Sequence, residues 1–182
     1  MKGGLPWQRA RADGGWEPDP WTWDDQGVMC HVKGRGLVVV SSCSHAGVIN
    51  VLRNAARVTG VPKVHGFVSG LHLIGGLFEP IIPWTVEALA GIAPDVVVPG
   101  HCTGWRATHA IARRLPGAYV QTSVGTTVRF SFLIQDTVQA KLRFSLLAHE
   151  SRGSQTTKFL VKPRRRTVEL IVIRLGKESI VK

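Results

Sequence analysis

The sequence predicts an α/β protein. Short continuous apolar runs, of the kind that suit strands buried on both faces, alternate with segments whose apolar residues fall at helical spacing. Gly-containing loops separate the two kinds of segment, and regular alternation of strand and helix defines the class. At 182 residues with 44% hydrophobic content, the chain can hold one ordinary domain, or a small domain with an appendage.

Residues 1–27 are dense in Trp and Pro: Trp7, Trp16, Trp21 and Trp23 with Pro6, Pro18 and Pro20. Proline forbids a helix interior and a central strand, so this stretch reads as an extended, partly packed loop whose aromatics seal the flank of a core, with stacking on a flat substrate as the alternative. Gly36-Leu37-Val38-Val39-Val40 is the first buried strand. It runs through Ser41–Gly47 into a helix over 48–58, where Val48, Val51, Leu52 and Ala55 share a face and Gly60 and Pro62 end the helix. A strand over 63–69 leads to Gly70-Leu71-His72. A helix over 84–92 follows, with Pro83 placed to begin it. Residues 95–98 form the third strand, 105–115 another amphipathic helix stopped by Pro116-Gly117, and 124–133 a last strand.

Charge divides the chain. Residues 1–132 hold 12 Lys/Arg against 8 Asp/Glu, whereas residues 133–182 hold 11 against 4, so most of the +11 sits in the last fifty residues. This places a soft boundary near 133, with 1–133 as the α/β portion and 134–182 as a basic tail. The tail could pair two strands, 158–162 and 167–175, around Pro163-Arg164-Arg165-Arg166. A basic turn with only Phe132, Phe144 and Phe159 as nearby aromatics is a poor nucleic-acid module, and a solvated face accounts for it. No apolar run approaches the roughly 18 residues of a membrane span, and Met1–Pro6 lacks the apolar core of a secretory signal, so the expected location is cytoplasmic. Cys30, Cys43 and Cys102 form no C-x-x-C pair, which fits reduced thiols rather than a disulfide framework.

The chemistry-bearing signal is positional. His45, His72 and His101 each sit in a short Gly-containing loop just after a predicted buried strand. Loops at one end of the strands of an α/β sheet converge on the ligand site. Neutral imidazole is a common ligand for zinc-like ions and leaves the ion's charge free to acidify a bound water. His31 and His65 read as strand residues, His109 as a helix residue and His149 as part of the tail.

Asp24-Asp25-Gln26, Gly36 through Asn50 with Ser42-Cys43-Ser44-His45-Ala46-Gly47, Ser69-Gly70-Leu71-His72-Leu73 and Pro99-Gly100-His101-Cys102-Thr103-Gly104 together resemble one metallo-β-lactamase subfamily. Its members are described as metal-dependent hydrolases, or as dihydropterinyl-methyl-(ribofuranosyl)aminobenzene-phosphate synthase-like proteins. The resemblance covers about two thirds of the chain and implies half of an αββα sandwich, with the basic, β-rich tail as an extension. It implies that His45 ligates a first metal and His101 a second. His72 stands where a bridging aspartate is usual. The resemblance places Asp25 near the site as a carboxylate orienting a histidine, and Cys43, Cys102 and Thr103 around the ligands. The cofactor it implies is a divalent metal, zinc first, with manganese or iron as alternatives.

The chain departs from that pattern where it matters most. The superfamily motif His-x-His-x-Asp-His occurs nowhere in it; Leu5-Pro6-Trp7-Gln8-Arg9 and Ser69-Gly70-Leu71-His72 also differ from the subfamily's usual residues. The first expectation is therefore a metal-dependent hydrolase in which activated water attacks an ester, phosphoester or related bond of a small molecule, with activity of this chain alone in doubt. The alternative is a non-catalytic remnant, or a subunit that depends on a partner. Half a sandwich would leave one sheet face without its mate, which predicts a homo-oligomer or pairing with a missing N-terminal half.

Overall fold

The computed structural model describes residues 8–12, 14–19, 22, 25–32, 34–134, 138–145, 158–161 and 168–174. Beyond Phe130 only the backbone of the strands is described. Trp7, Trp21, Trp23, Asp24, His149 and the Pro163–Arg166 turn lie outside these residues.

A six-stranded sheet forms the centre, in the order β6-β5-β4-β3-β10-β9. Its strands are β3 (Gln26–Val32), β4 (Gly36–Ser41), β5 (Val64–Ser69), β6 (Val96–Pro99), β9 (Lys158–Val161) and β10 (Val168–Arg174). β4, β5 and β6 are parallel neighbours, and β3 pairs antiparallel with β4. β4 is the run read as continuously apolar, and β5, although it carries His65 and Ser69, is buried along its whole length. β4 and β5 have neighbours on both edges and material on both faces, so every side chain must be tolerated in the core; β6 is the edge strand.

The crossovers are α1 (Val48–Thr59) and α2 (Ile82–Ile92), with α3 (Trp105–Arg114) after β6. Successive steps in one direction across a sheet put their crossover helices on the same face, given the fixed right hand of the βαβ connection. The core follows from this. Leu37, Val39, Phe67 and Val97 of the sheet pack with Val51 and Leu52 of α1, Val86 and Leu89 of α2, and Ile111 of α3. Gly60, at φ 68°, closes α1 in the left-handed conformation. Pro83 lies in the first turn of α2, after a short 3-10 turn at Glu79–Ile81.

The opposite sheet face carries Cys30, Val32, Val38, Val68 and Val98. Phe130 covers its centre, packed with Val128, Val40 and Val96. A Cβ on Gly66 would lie 2.6 Å from the Phe130 ring, so glycine there lets the ring seat directly on the backbone. The face expected to lack a mate is thus covered in part by the chain's own strand.

Three local expectations differ from the structure. The 1–27 loop contains a hairpin, β1 (Arg9–Ala12) with β2 (Gly15–Pro18). Pro18 is tolerated because each strand of a two-stranded ribbon is an edge. The strand expected over 124–133 starts at Thr127, as β7 (Thr127–Ile134), and pairs with β8 (Val138–Ser145). Finally, the tail strands pair with each other as expected, but β10 also joins the central sheet beside β3. Among the described residues, no helix is long and apolar enough to cross a membrane.

Candidate metal centre

The loops after β4, β5 and β6 are laced together by backbone hydrogen bonds. The Gly70 N–H donates to the Ser42 carbonyl at 2.7 Å, Gly100 N–H to the Ser69 carbonyl at 2.7 Å, and Leu73 N–H to the Cys102 carbonyl at 3.0 Å. β4 and β6 are not neighbours; β5 lies between them, so the two strands are separated by about 10 Å at ordinary sheet spacing. The loops nevertheless close over Gly70. A Cβ at that position would meet the His101 carbonyl oxygen at 2.6 Å, Cys102 Sγ at 2.8 Å and the Ser42 carbonyl oxygen at 3.0 Å. The missing side chain of residue 70 is what lets the outer loops reach each other.

They meet as a cysteine–histidine pair: Cys43 Sγ lies 2.8 Å from His101 Nε2. Cys102 joins them, and the potential ligand atoms of Cys43, His101 and Cys102 all lie within 4.8 Å of one another. Cys43 and Cys102 are half-buried and His101 is exposed, so the cluster opens to solvent on one side. Cys102 Sγ also accepts the His72 backbone N–H at 3.3 Å. His45 and His72 meet each other, with ring centroids 4.6 Å apart and planes at 76°, and His72 further packs on Phe78 at 5.0 Å.

Ser44 (φ 49°), His72 (φ 44°) and Cys102 (φ 55°) adopt left-handed backbone, one in each of the three loops. L side chains occupy that region at a cost of about 1–3 kcal/mol, and such strain concentrates at functional sites. Around the cluster the loops are braced. Asp25 is buried; its Oδ2 accepts the Ala46 N–H at 3.0 Å and its Oδ1 the Gln26 N–H at 3.1 Å. Its carboxylate therefore holds the backbone next to His45. Ser44 and Ser69 share a hydroxyl hydrogen bond of 2.6 Å beneath the loops. The Thr103 hydroxyl donates to the Gly100 carbonyl at 2.8 Å and accepts the Leu71 N–H at 3.3 Å, closing the turn that carries His101.

Of the three histidines singled out in the sequence, His101 lies in the grouped cluster, and His45 and His72 contact one another beside it. The two cysteines, taken there as surroundings, supply the cluster's other donors. Two sulfurs and an imidazole are a donor set suited to zinc-like ions. The signal in the sequence was the adjacency itself, Cys43-x-His45 and His101-Cys102 in loops at the same end of the sheet.

The fold and these loops are similar to those of the metallo-β-lactamase superfamily, to which the four motifs also point. A solved structure described as a metal-dependent hydrolase of the β-lactamase superfamily superposes with a TM-score of 0.56 at 30% identity, over 65% of this chain and 44% of that one. A 7,8-dihydropterin-6-methyl-4-(β-D-ribofuranosyl)-aminobenzene-5′-phosphate synthase of Methanocaldococcus jannaschii is 28% identical over 107 residues, 59% of this chain and 36% of its own length. No protein-family model matches. The chain thus spans less than half the length of either relative.

Proposed function

We propose that this chain carries the distal metal-binding loops of a metal-dependent hydrolase, with His45, His101 and His72 as the histidine donors. The observation that carries the reading is the convergence of the loops after β4, β5 and β6, held by the Gly70, Gly100 and Leu73 hydrogen bonds. A divalent ion bound there supplies Lewis-acid polarisation of a substrate oxygen and an acidified water for attack on an ester or phosphoester. The chain's own part is positional. Asp25 fixes the His45 loop, Thr103 fixes the His101 turn, and the open side of the cluster admits a small molecule. The residues given hold no His-x-His-x-Asp-His, so in this reading those donors come from a segment outside these residues, on the same or another polypeptide.

A second reading is a partner-dependent or non-catalytic chain that keeps the loops without the turnover. The synthase-like relative adds a ligand class to either reading, a phosphorylated or pterin-like small molecule. The test is a hydrolysis screen on phosphoesters and lactones with the metal-loaded chain, alone and mixed with a segment bearing His-x-His-x-Asp-His. Turnover that requires the mixture and disappears in His45→Ala supports the first reading. Absence of turnover in every mixture, with metal bound, supports the second.

A further inference from the structure

We propose that Cys43 and Cys102 are a redox pair that a hydroperoxide closes into an intramolecular disulfide, tying the loop after β4 to the loop after β6. The donors assigned above are histidines, so both thiols are left for this chemistry. The effect of the bond on metal binding rests on the reading that His101 is a ligand; the bond itself does not.

β4 and β6 are not neighbours in the sheet, yet their loops bring the two thiols together. The ligand atoms of Cys43, His101 and Cys102 all lie within 4.8 Å of one another. A disulfide holds its sulfurs about 2.05 Å apart, so the pair has less than about 2.8 Å to close. One step between staggered χ1 wells carries a sulfur through about 3 Å, the scale of closure needed. The backbone is anchored on both sides. The Gly70 N–H donates to the carbonyl of Ser42, next to Cys43, at 2.7 Å, and the Leu73 N–H to the Cys102 carbonyl at 3.0 Å. No side chain stands between the loops at residue 70, where a Cβ would lie 2.8 Å from Cys102 Sγ and 3.0 Å from the Ser42 carbonyl oxygen.

Exposure separates this pair from the third cysteine. Cys43 and Cys102 are half-buried and open to small solutes. Cys30 is fully buried in the sheet, and burial pushes its thiol up to about 11. A hydroperoxide therefore reaches the first two and not the third.

Oxidation takes two steps. One sulfur attacks the terminal peroxide oxygen; the S–O bond forms, the O–O bond breaks, and the departing oxygen leaves as alcohol or water with the thiol proton. The second sulfur then attacks the sulfenic acid; the S–S bond forms, the S–O bond breaks, and water leaves with the second thiol proton. The two thiols lose two electrons, and the hydroperoxide gains them. Cys43 Sγ also lies 2.8 Å from His101 Nε2. A thiol can swing off that nitrogen when an ion arrives, whereas a sulfur bonded to Cys102 cannot. The oxidised chain should hold a divalent ion about 10–100-fold more weakly, the scale of a change beside a metal ligand.

The experiment treats the reduced chain with hydrogen peroxide and maps its cysteines by peptide mass spectrometry without reductant. The expected result is a linked Cys43–Cys102 peptide pair, lighter by two hydrogens, reversed by dithiothreitol and formed equally in Cys30→Ala. Cys43→Ser and Cys102→Ser should each form no intramolecular bond, and thermal melts confirm that each variant folds. The oxidised wild type should melt above the reduced form, because the bond closes a loop of about 60 residues in the unfolded chain. Zinc titration of both forms reads the change in affinity. Cys43 and Cys102 carried to sulfinic acids, or linked only between chains, would overturn the proposal whatever the metal result. A linked chain that binds zinc as tightly as the reduced one would overturn the effect on metal. A reduced chain that binds no zinc would overturn the metal reading instead, and the linked peptide would still decide the proposal.

Discussion

Replacing Gly70 with alanine should spread the three site loops. The added Cβ would sit 2.6 Å from the His101 carbonyl oxygen, 2.8 Å from Cys102 Sγ and 3.0 Å from the Ser42 carbonyl oxygen, where ordinary contact begins at 3.4 Å. Relief therefore requires the β6 loop to retreat by about 0.8 Å at His101 and about 0.6 Å at Cys102, the differences from that contact limit. Two of the three obstacles are backbone atoms, and the Gly70 N–H is itself bonded to Ser42, so a simple rotamer change does not suffice. Overpacking of this kind costs about 1–3 kcal/mol. For a chain of this size that corresponds to a melting temperature lower by roughly 4–8 °C at the middle of the range. A displacement above about 0.5 Å also takes donors out of productive register, so metal affinity should fall with stability. Thermal unfolding with and without zinc measures both effects. An alanine variant that melts within a degree of wild type and binds metal equally well would refute the role given to Gly70.

Asp25→Ala leaves the buried Ala46 N–H without its carboxylate, and equilibrium denaturation should show a loss of about 1–3 kcal/mol. At the other end of β5, the Lys63 ammonium, and next the His65 ring, hold the Asp95 carboxyl below the ordinary aspartate range. A lowered folded pKa contributes stability that is present above the unfolded value and is lost as pH falls through the folded one. Asp95→Asn should therefore flatten the acid limb of stability below about pH 4; an unchanged limb would remove Asp95 from that account. In native alkylation near neutral pH, Cys43 and Cys102 should react while Cys30 does not, and zinc should protect the first two. Peptide mass spectrometry reads that pattern, and labelling of Cys30 at the same rate would contradict the burial argument.

The parallel strands were legible because burial on both faces leaves an uninterrupted apolar run, as in Val38-Val39-Val40, and α1 was legible because Gly60 stops it. The β1–β2 hairpin was not, since Arg9–Ala12 alternates only alanine with arginine, too small an apolar face to mark a strand, and Pro18 argued against one; the sequence Asp-Gly at 13–14 was the available signal. β7 was legible as a strand, but its place was not, because Val128 and Phe130 read alike whether they pair with the sheet or lie across it. At the site, loop position marked His45, His72 and His101. The Cys43–His101 contact joins residues 58 apart in sequence, on strands that do not touch, and depends on the small size of a third residue, Gly70. Such a three-body condition leaves no periodic trace in sequence.

The most direct measurement is metal content by elemental mass spectrometry on the purified, reconstituted chain beside its His101→Ala variant, because His101 belongs to both donor sets considered. The account predicts close to one zinc per wild-type chain and little or none in the variant, with both proteins folded. A wild-type chain that holds no metal after reconstitution, or a variant that keeps it, would contradict the claim that these loops form a metal centre.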